Sequence, residues 1–405
     1  MNVKLSCLTL LGALLLCAEA RPARAGAYTF TDLGTLGGSY STALGINNAG
    51  QVVGYAALAG DAAFHAASWN GAAALDLGTL GGTLSVAYAI NNGGQVAGFA
   101  DTTDASHATV WHGGKPLDLG SVGGTASSAY AINNAGQVAG SAYAAGDRVF
   151  HAALWNGAPG IDLGTLGGPF SNAFGINDAG QVAGYAGYVA GVNNLVHATL
   201  WIGNTPLDLG TLGGAISEAN AINNAGQVAG YAYLADGMSY HATLWAGGTA
   251  IDLGTLGGSY SVATAINQAG QVAGYSTLAD DFTNHAVLWD GTTSIDLNNL
   301  LDAGSVAAGW TLNYAYGIND QGMLVGQASN ANSGASHAFL LALAVPVPPS
   351  NVLFLSGLAL MGWLARRRRR ASGKSAGARQ ATTAQHLSFH RAPQHIGRWH
   401  QQGQT

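Results

Sequence analysis

Seven histidines and seven aspartates recur along this chain on a fixed ruler. His65, His107, His151, His197, His241 and His285 are each followed eleven residues later by an aspartate: Asp76, Asp118, Asp162, Asp208, Asp252 and Asp296. A seventh pair of the same types, His337 and Asp32, stands at opposite ends of the series. Imidazole beside carboxylate serves general-base catalysis, metal ligation or a structural hydrogen bond. Near-identical copies suit architecture better than one catalytic centre. A buried carboxylate needs a partner, so each His is expected to bond the Asp that follows it and to lock two strands together. Seven imidazoles ringing a channel around a metal is the competing arrangement, and no metal or cofactor is expected.

Other repeated groups suggest chemistry and have plainer explanations. The Asn-Asn-Ala-Gly segments offer oxygen ligands of the kind calcium takes, but only Asp178 and Asp320 bring carboxylates there, so they read as turns. Thr-Leu-Gly-Gly segments resemble a phosphate loop without the lysine or the helix that such a loop needs. Trp69, Trp111, Trp155, Trp201, Trp245 and Trp289 read as packing between sheets, since a sugar-stacking platform would need them exposed. A catalytic site would show as residues that break the repeat. The breakers are Lys115, Arg148, Glu218, Asp280, Asp281 and an insertion carrying Trp310. Glu218 is the only glutamate after residue 25. No nucleophile–base pair or ligand cluster assembles from these residues, so no catalytic residue is assigned.

The elements that must position them are one unit written seven times. A consensus DLGTLGGxxSxAxAINNAGQVAGYA…HAxLWxGG returns every 42–46 residues. Each unit holds four short runs bounded by turn residues: AxAI, QVAGYA, HAxLW and a last run ending in DLG. Asp to the next Asn is 15 residues six times, and lengthens to 23 between Asp296 and Asn319, which places an insertion around Leu300 to Trp310. The stretch from Gln to His varies as 14, 12, 14, 16 and 14 residues from Gln51 to Gln227, always by an even number. Adding two residues lengthens a hairpin without turning its side chains over. The variable stretches (61–64, 146–150, 188–196, 236–240 and 280–284) are therefore expected at hairpin tips on one rim, as a contact surface.

Four antiparallel strands per unit predict an all-β, seven-bladed β-propeller over residues 26–344. The chain opens on a fourth strand, Tyr28 to Leu33, and ends the series on a third, His337 to Leu343. Pairing the N-terminal strand with the C-terminal three would close the ring. A β-solenoid is the alternative.

Composition bounds the function. Charged residues make up 8% of the chain against about 25% in an average domain. Residues 26–365 carry 19 acids and two bases, a net of −17. Two bases cannot neutralise a phosphate track, so nucleic acid is excluded as a partner of the body. The repeated aspartates are expected to be buried, which would leave less of that charge facing solvent.

The ends read as address labels. Residues 1–25 have the form of a signal peptide, with Lys4, an apolar run and Ala23-Arg24-Ala25 before the cleavage point. Both cysteines, Cys7 and Cys17, lie in it. Residues 345–370 combine Val345-Pro346-Val347-Pro348, a short apolar segment at 352–365 and the cluster Arg366, Arg367, Arg368 and onward to Arg370. A basic tail, 371–405, expected to be disordered, follows. This tripartite ending resembles a PEP-CTERM sorting signal, with Val347 where the glutamate usually stands. That resemblance implies an exosortase-type partner and membrane contact, at least transient, through 352–365; an ordinary C-terminal membrane anchor is the alternative.

The repeat itself resembles the HAF family of extracellular repeats. The likeness rests on DLGTLGG at 32–38 and its copies, INNAGQVAG at 132–140, and His337-Ala338-Phe339. It implies a type of surface protein and no particular reaction. With the Gram-negative setting that the sorting-signal resemblance implies, the chain is expected to be an exported binding or structural module of the envelope, with exopolysaccharide or another envelope component as its partner. The rival reading is an enzyme on extracellular polysaccharide, with Glu218 and an Asp as acid and base.

Overall fold

A computed structural model describes residues 28–344 apart from 72, 158 and 190–194. The expected signal peptide, the sorting segment 345–370 with its short apolar stretch, and the tail all lie outside the described residues. Among those described, no helix is long and apolar enough to cross a membrane.

The fold is all-β, built from repeated four-stranded antiparallel sheets. Five units form separate sheets, each running first to fourth strand in chain order. The unit Ser261–Asp296 shows the pattern, with strands Ser261–Ile266, Val272–Thr277, Asn284–Asp290 and Thr293–Asp296. The remaining eight strands share one sheet, in which two four-stranded groups meet through a single parallel bridge, Tyr40 to Ser336. One of those groups combines Trp310–Ile318, Leu324–Asn330 and Ser336–Leu343 with the N-terminal strand Tyr28–Asp32, which runs antiparallel to Ser336–Leu343. Every strand-to-strand ladder within a unit is antiparallel, as in a meander, with isolated parallel bridges at Leu36–Leu58 and Leu212–Leu234.

Register explains the even-numbered length variation. The second strand's Val faces the third strand's Trp in six units, from Val52–Trp69 to Val272–Trp289, and Leu324 faces Leu341 in the remaining one. All added or missing residues fall at the tip beyond. The two units that differ in length, with hairpins closing at Asp101–Ser106 and Gly187–Val196, keep the same inward and outward faces.

Adjacent sheets are joined by repeated polar staples and small-residue packing. The consensus serine of the first strand is buried, and its hydroxyl accepts the amide of the Ala beside His in the preceding unit. Ala198 N donates to Ser217 Oγ at 2.9 Å and Ala242 N to Ser261 Oγ at 2.8 Å. The bond from Ala338 N to Ser41 Oγ, 2.9 Å, links the last unit to the first. Each serine also donates to a glycine carbonyl seven residues back, as Ser217 does to Gly210. The core is divided into seven clusters that lie between neighbouring sheets. One of them sets Ala183, Ala198 and Leu200 against Ala219, Val228 and Trp245.

The insertion is helical where strands alone were expected. Leu297–Leu300 forms a 3-10 turn, and Ala303–Ala307 a short α-helix capped by Asp302, whose carboxylate accepts Ser305 N. Leu297, Leu300 and Leu301 turn into the core beside Tyr28, Leu312 and Phe339. Leu312, opposite Ala328, takes the register position that serine holds in the other first strands, and Asn313 is left over in an extra register slip. There Asn298 supplies a link of its own, its amide bonding both N–H and C=O of Leu312 at 2.8 and 2.9 Å.

Candidate binding site

The second-strand glycine of QVAG sets the inner geometry. A Cβ on Gly230 would stand 1.9 Å from the carbonyl oxygen of Glu218, and the equivalent glycines in the other six units meet the same obstruction at 1.9–2.0 Å. The first strand can approach this closely only over glycine. Directly beyond this contact the register slips by one residue in all seven units. The residue left unmatched is Leu44, Tyr88, Tyr130, Phe174, Asn220, Thr264 or Tyr316. A bulge bends the strand and re-aims the extra side chain, and all seven of these residues line one cavity of about 520 Å³.

Tyr231, Tyr233, Tyr240, Val262 and Tyr275 complete that cavity. Its rings form a run of edge and tilted contacts: Tyr88 to Tyr130 at 5.0 Å and Tyr130 to Phe174 at 5.2 Å between centroids. On the other side Tyr231 lies 5.2 Å from Tyr240. Burial pushes the Tyr185 and Tyr275 hydroxyls up to about 12 and raises those of Tyr88, Tyr231 and Tyr316 further still. All remain neutral donors at physiological pH.

Glu218 stands beside this wall. It faces Tyr231 across the first and second strands of its unit. The residue is half-buried. Burial raises its pKa above the ordinary glutamate value, and the hydrogen bond from Tyr231 offsets only part of that. The ion pairs of the described residues are all His–Asp, so Glu218 has no cationic partner among them.

Ile46, Ile90, Ile132, Ile176, Ile222, Ile266 and Ile318 line two further pockets, one of them together with the Asn-containing turns. These turns are linked to one another. Asn223 Nδ2 donates to the carbonyl of Asn267 at 3.1 Å, and Asn267 Nδ2 to that of Asn319 at 3.2 Å. The series runs on from Asn319 to Asn47 at 3.1 Å, and thence through Asn91, Asn133 and Asn177 back to Asn223. A second series uses the next residue, in which each backbone amide donates to the following unit's side-chain oxygen, as from Asn134 to Asp178 and from Asp320 to Asn48. The oxygens a calcium ion would need are thus engaged by N–H donors, and no group of three metal-ligating side chains occurs among the described residues.

The histidines lie outside these pockets, on the third strands. Nδ1 of His65, His107, His151, His197, His241 and His285 stands 2.7–2.9 Å from the carboxylate of Asp76, Asp118, Asp162, Asp208, Asp252 and Asp296. His337 meets Asp32 of the N-terminal strand at 3.0 Å. The pairs are not buried as expected: five of the aspartate side chains are 40–44% exposed, and only Asp296 falls to 16%. Each carboxylate also has a second duty, accepting the amide two residues on, at the exposed Asp252 and the half-buried Asp296 alike. Asp252 Oδ1 takes Gly254 N at 2.7 Å, and Gly254 itself has a positive φ of 70°. At Asp32, burial would raise the pKa, but the bonds from His337 and Gly34 N outweigh it and hold it low.

The repeat-breakers scatter. Lys115 and Arg148 are exposed, on a fourth strand and on a hairpin tip. Asp281 and its counterparts Asp61 and Asp147 tie their tips inward, each accepting the first-strand-side amide of Ser259, Ser39 or Thr125. Asp236 and Asp280 cap their own tips. Much of the expected contact rim is therefore occupied with holding itself, although Phe282 and Met238 project outward at 89% and 72% exposure. The tip 188–196 is described only in part. The six tryptophans are at most 3% exposed and form no platform. Trp310 packs on Phe30 at 5.3 Å.

The channel-lining aromatics escaped the sequence reading, which sought charged residues that break the pattern. The usable signal was the first x of AxAI, variable in type while its neighbours repeat.

No protein-family model and no curated protein matches the chain. Among solved structures it is similar to TolB from Acinetobacter baumannii, at 11% identity and a TM-score of 0.38. The likeness covers 61% of this chain and 63% of the TolB chain, so this chain spans less than two thirds of that protein's length.

Proposed function

We propose that this is an exported, closed seven-bladed β-propeller acting as a non-catalytic binding module at the cell envelope, with its ligand site at the aromatic end of the central channel. One observation carries the reading. Seven equivalent bulged positions, set in otherwise near-identical units, hold Leu, Tyr, Tyr, Phe, Asn, Thr and Tyr around one cavity. A purely structural ring has no need of such asymmetry, whereas concave sites rich in aromatic side chains with a few polar groups are the common form of ligand pockets.

Closure is supported by the pairing of Tyr28–Asp32 with Ser336–Leu343 and by the Asn319–Asn47 bond. A ring leaves no open sheet edge at either end of the array. Export and sorting rest on the signal-like and PEP-CTERM-like ends, and membership of the HAF repeats on the quoted motifs. A polysaccharide hydrolase commonly works with two carboxylates within roughly 5–10 Å of one another, whereas the residues lining this cavity are aromatic, aliphatic, Asn and Thr; binding is therefore preferred to catalysis.

The test is retention of the exported protein on the host's own extracellular polysaccharide, with Tyr130→Ala and Tyr275→Ala as channel variants. Loss of retention in both, with unchanged near-ultraviolet circular dichroism, is the expected result. Full retention in both variants would move the site away from the channel. Fractionation with and without residues 345–405 tests the sorting segment; envelope retention without it would refute that assignment.

A further inference from the structure

We infer that the aromatic end of the channel takes an organic cation, a protonated or alkylated amine, with Glu218 as its counter-charge. This rests on placing the ligand site in the channel and specifies what that site recognises.

The first ground is the lining. Tyr88, Tyr130, Phe174, Tyr231, Tyr275 and Tyr316 surround a space of about 520 Å³, large enough for an ammonium head group and a short organic body. Aromatic faces are negative at their centres and attract a cation held against them. The second ground is the carboxyl beside that lining. Glu218 opposes the cavity-lining Tyr231 in register, stands two residues before the cavity-lining Asn220, and has no Lys, Arg or His paired with it among the described residues. A desolvated carboxylate without a counter-ion is unfavourable, and an entering cation relieves that cost. The third ground is the field of the body, 19 acids against two bases, which concentrates cations and repels anions.

Neutral ligands could also stack on these rings, but they would gain nothing from Glu218. An anionic ligand would meet a like charge. The groups that face Glu218 electrostatically are the hydroxyls of Tyr185, Tyr231 and Tyr275, all held neutral through the physiological range. Glu218 is therefore the one group there whose charge changes between acid and neutral pH. A bound cation should lower its pKa, and binding should weaken as the medium is acidified.

The probes are choline, its neutral isostere 3,3-dimethylbutan-1-ol, glucosamine and glucose, titrated calorimetrically into the full-length exported protein. Choline is expected to bind at least about tenfold more tightly than the isostere, a difference within the range of a desolvated cation–π contact joined to a carboxylate. If the amine is presented on a sugar, glucosamine rather than choline shows the preference, over glucose. Glu218→Gln should lose about tenfold for the preferred cation and leave the neutral probes unchanged. Near-ultraviolet circular dichroism from the buried tryptophans reports whether that variant is folded. Should it not fold, the acid-pH titration of the native protein provides the same comparison. Equal affinity for cation and neutral isostere, an unaffected Glu218→Gln, or no binding of any probe at millimolar concentration overturns the inference. Retention on polysaccharide together with any of these results would leave the binding-module reading standing and refute the cation alone.

Discussion

Replacing Asn223 with alanine should destabilise the protein several times more than replacing His241. Asn223 is 1% exposed and makes four hydrogen bonds. Its Oδ1 accepts the amides of Ala225 and Gln227, and its Nδ2 donates to the Gln227 side chain and to the Asn267 carbonyl of the next unit. The losses are unequal. Ala225 is exposed, so water can take its amide. The Asn267 carbonyl keeps the amide of Gly270. The Gln227 amide is half-buried and left without a partner, at a cost of about 1–2 kcal/mol. With about 0.5–1 kcal/mol for each of the other bonds, the total comes to about 3 kcal/mol. His241, by contrast, loses one bond to a carboxylate that is 41% exposed, a pairing worth about 0.5–1 kcal/mol after solvent screening. Urea unfolding followed by tryptophan fluorescence measures both. Asn223→Asp gives an internal control, because it keeps the acceptor for both amides and turns the inter-unit donor into a repelling oxygen. A cost below about 1 kcal/mol for Asn223→Ala, or one no larger than that of His241→Ala, would refute the claim that the asparagine series outweighs the His–Asp pairs.

Asp252→Ala should cost more than His241→Ala, about 1–2 kcal/mol in the same assay, because the carboxylate also holds Gly254 N; equal costs would assign the whole effect to the pair. Glu218→Gln should stabilise the protein at neutral pH and not in acid. The native carboxyl has a pKa raised above 4.5, so the native state keeps a proton that the unfolded chain releases, and stability falls as pH rises through that window. A stability difference between variant and native protein that stays flat with pH would contradict this. Gly230→Ala places a Cβ against the Glu218 carbonyl at 1.9 Å and should cost about 3 kcal/mol or prevent folding; a well-folded variant of native stability, judged by thermal melts, would disprove the close approach.

Much of the architecture was legible along the chain because a repeat multiplies weak signals. The turn at each Asn-Asn-Ala-Gly, the even steps in hairpin length and the complementary first and last strands each follow from local rules of backbone geometry. The eleven-residue His–Asp spacing pointed to the right partners, since two residues on neighbouring antiparallel strands meet at a separation set by the intervening turn. Their exposure was misjudged. Nothing in the spacing says whether that end of the hairpin faces a neighbouring sheet or solvent: Asp296, with the Leu297–Leu301 insertion packed into the core beside it, falls to 16% exposure, whereas Asp252 stays at 41%.

What the sequence determined by itself was everything periodic: strands, turns, register, the buried tryptophans and the excess of negative charge. What only the tertiary structure decided was everything that depends on seven units meeting. The first Asn of each turn reads alone as a turn residue, and it becomes an inter-unit link only when the next unit's carbonyl lies 3.0–3.2 Å away. Tyr88, Tyr130 and Tyr316 read alone as strand residues like any others. A bulge re-aims each one, and a cavity exists only where seven such side chains converge from positions more than forty residues apart. Periodicity is a property of neighbours along a chain; a site is a property of neighbours in space.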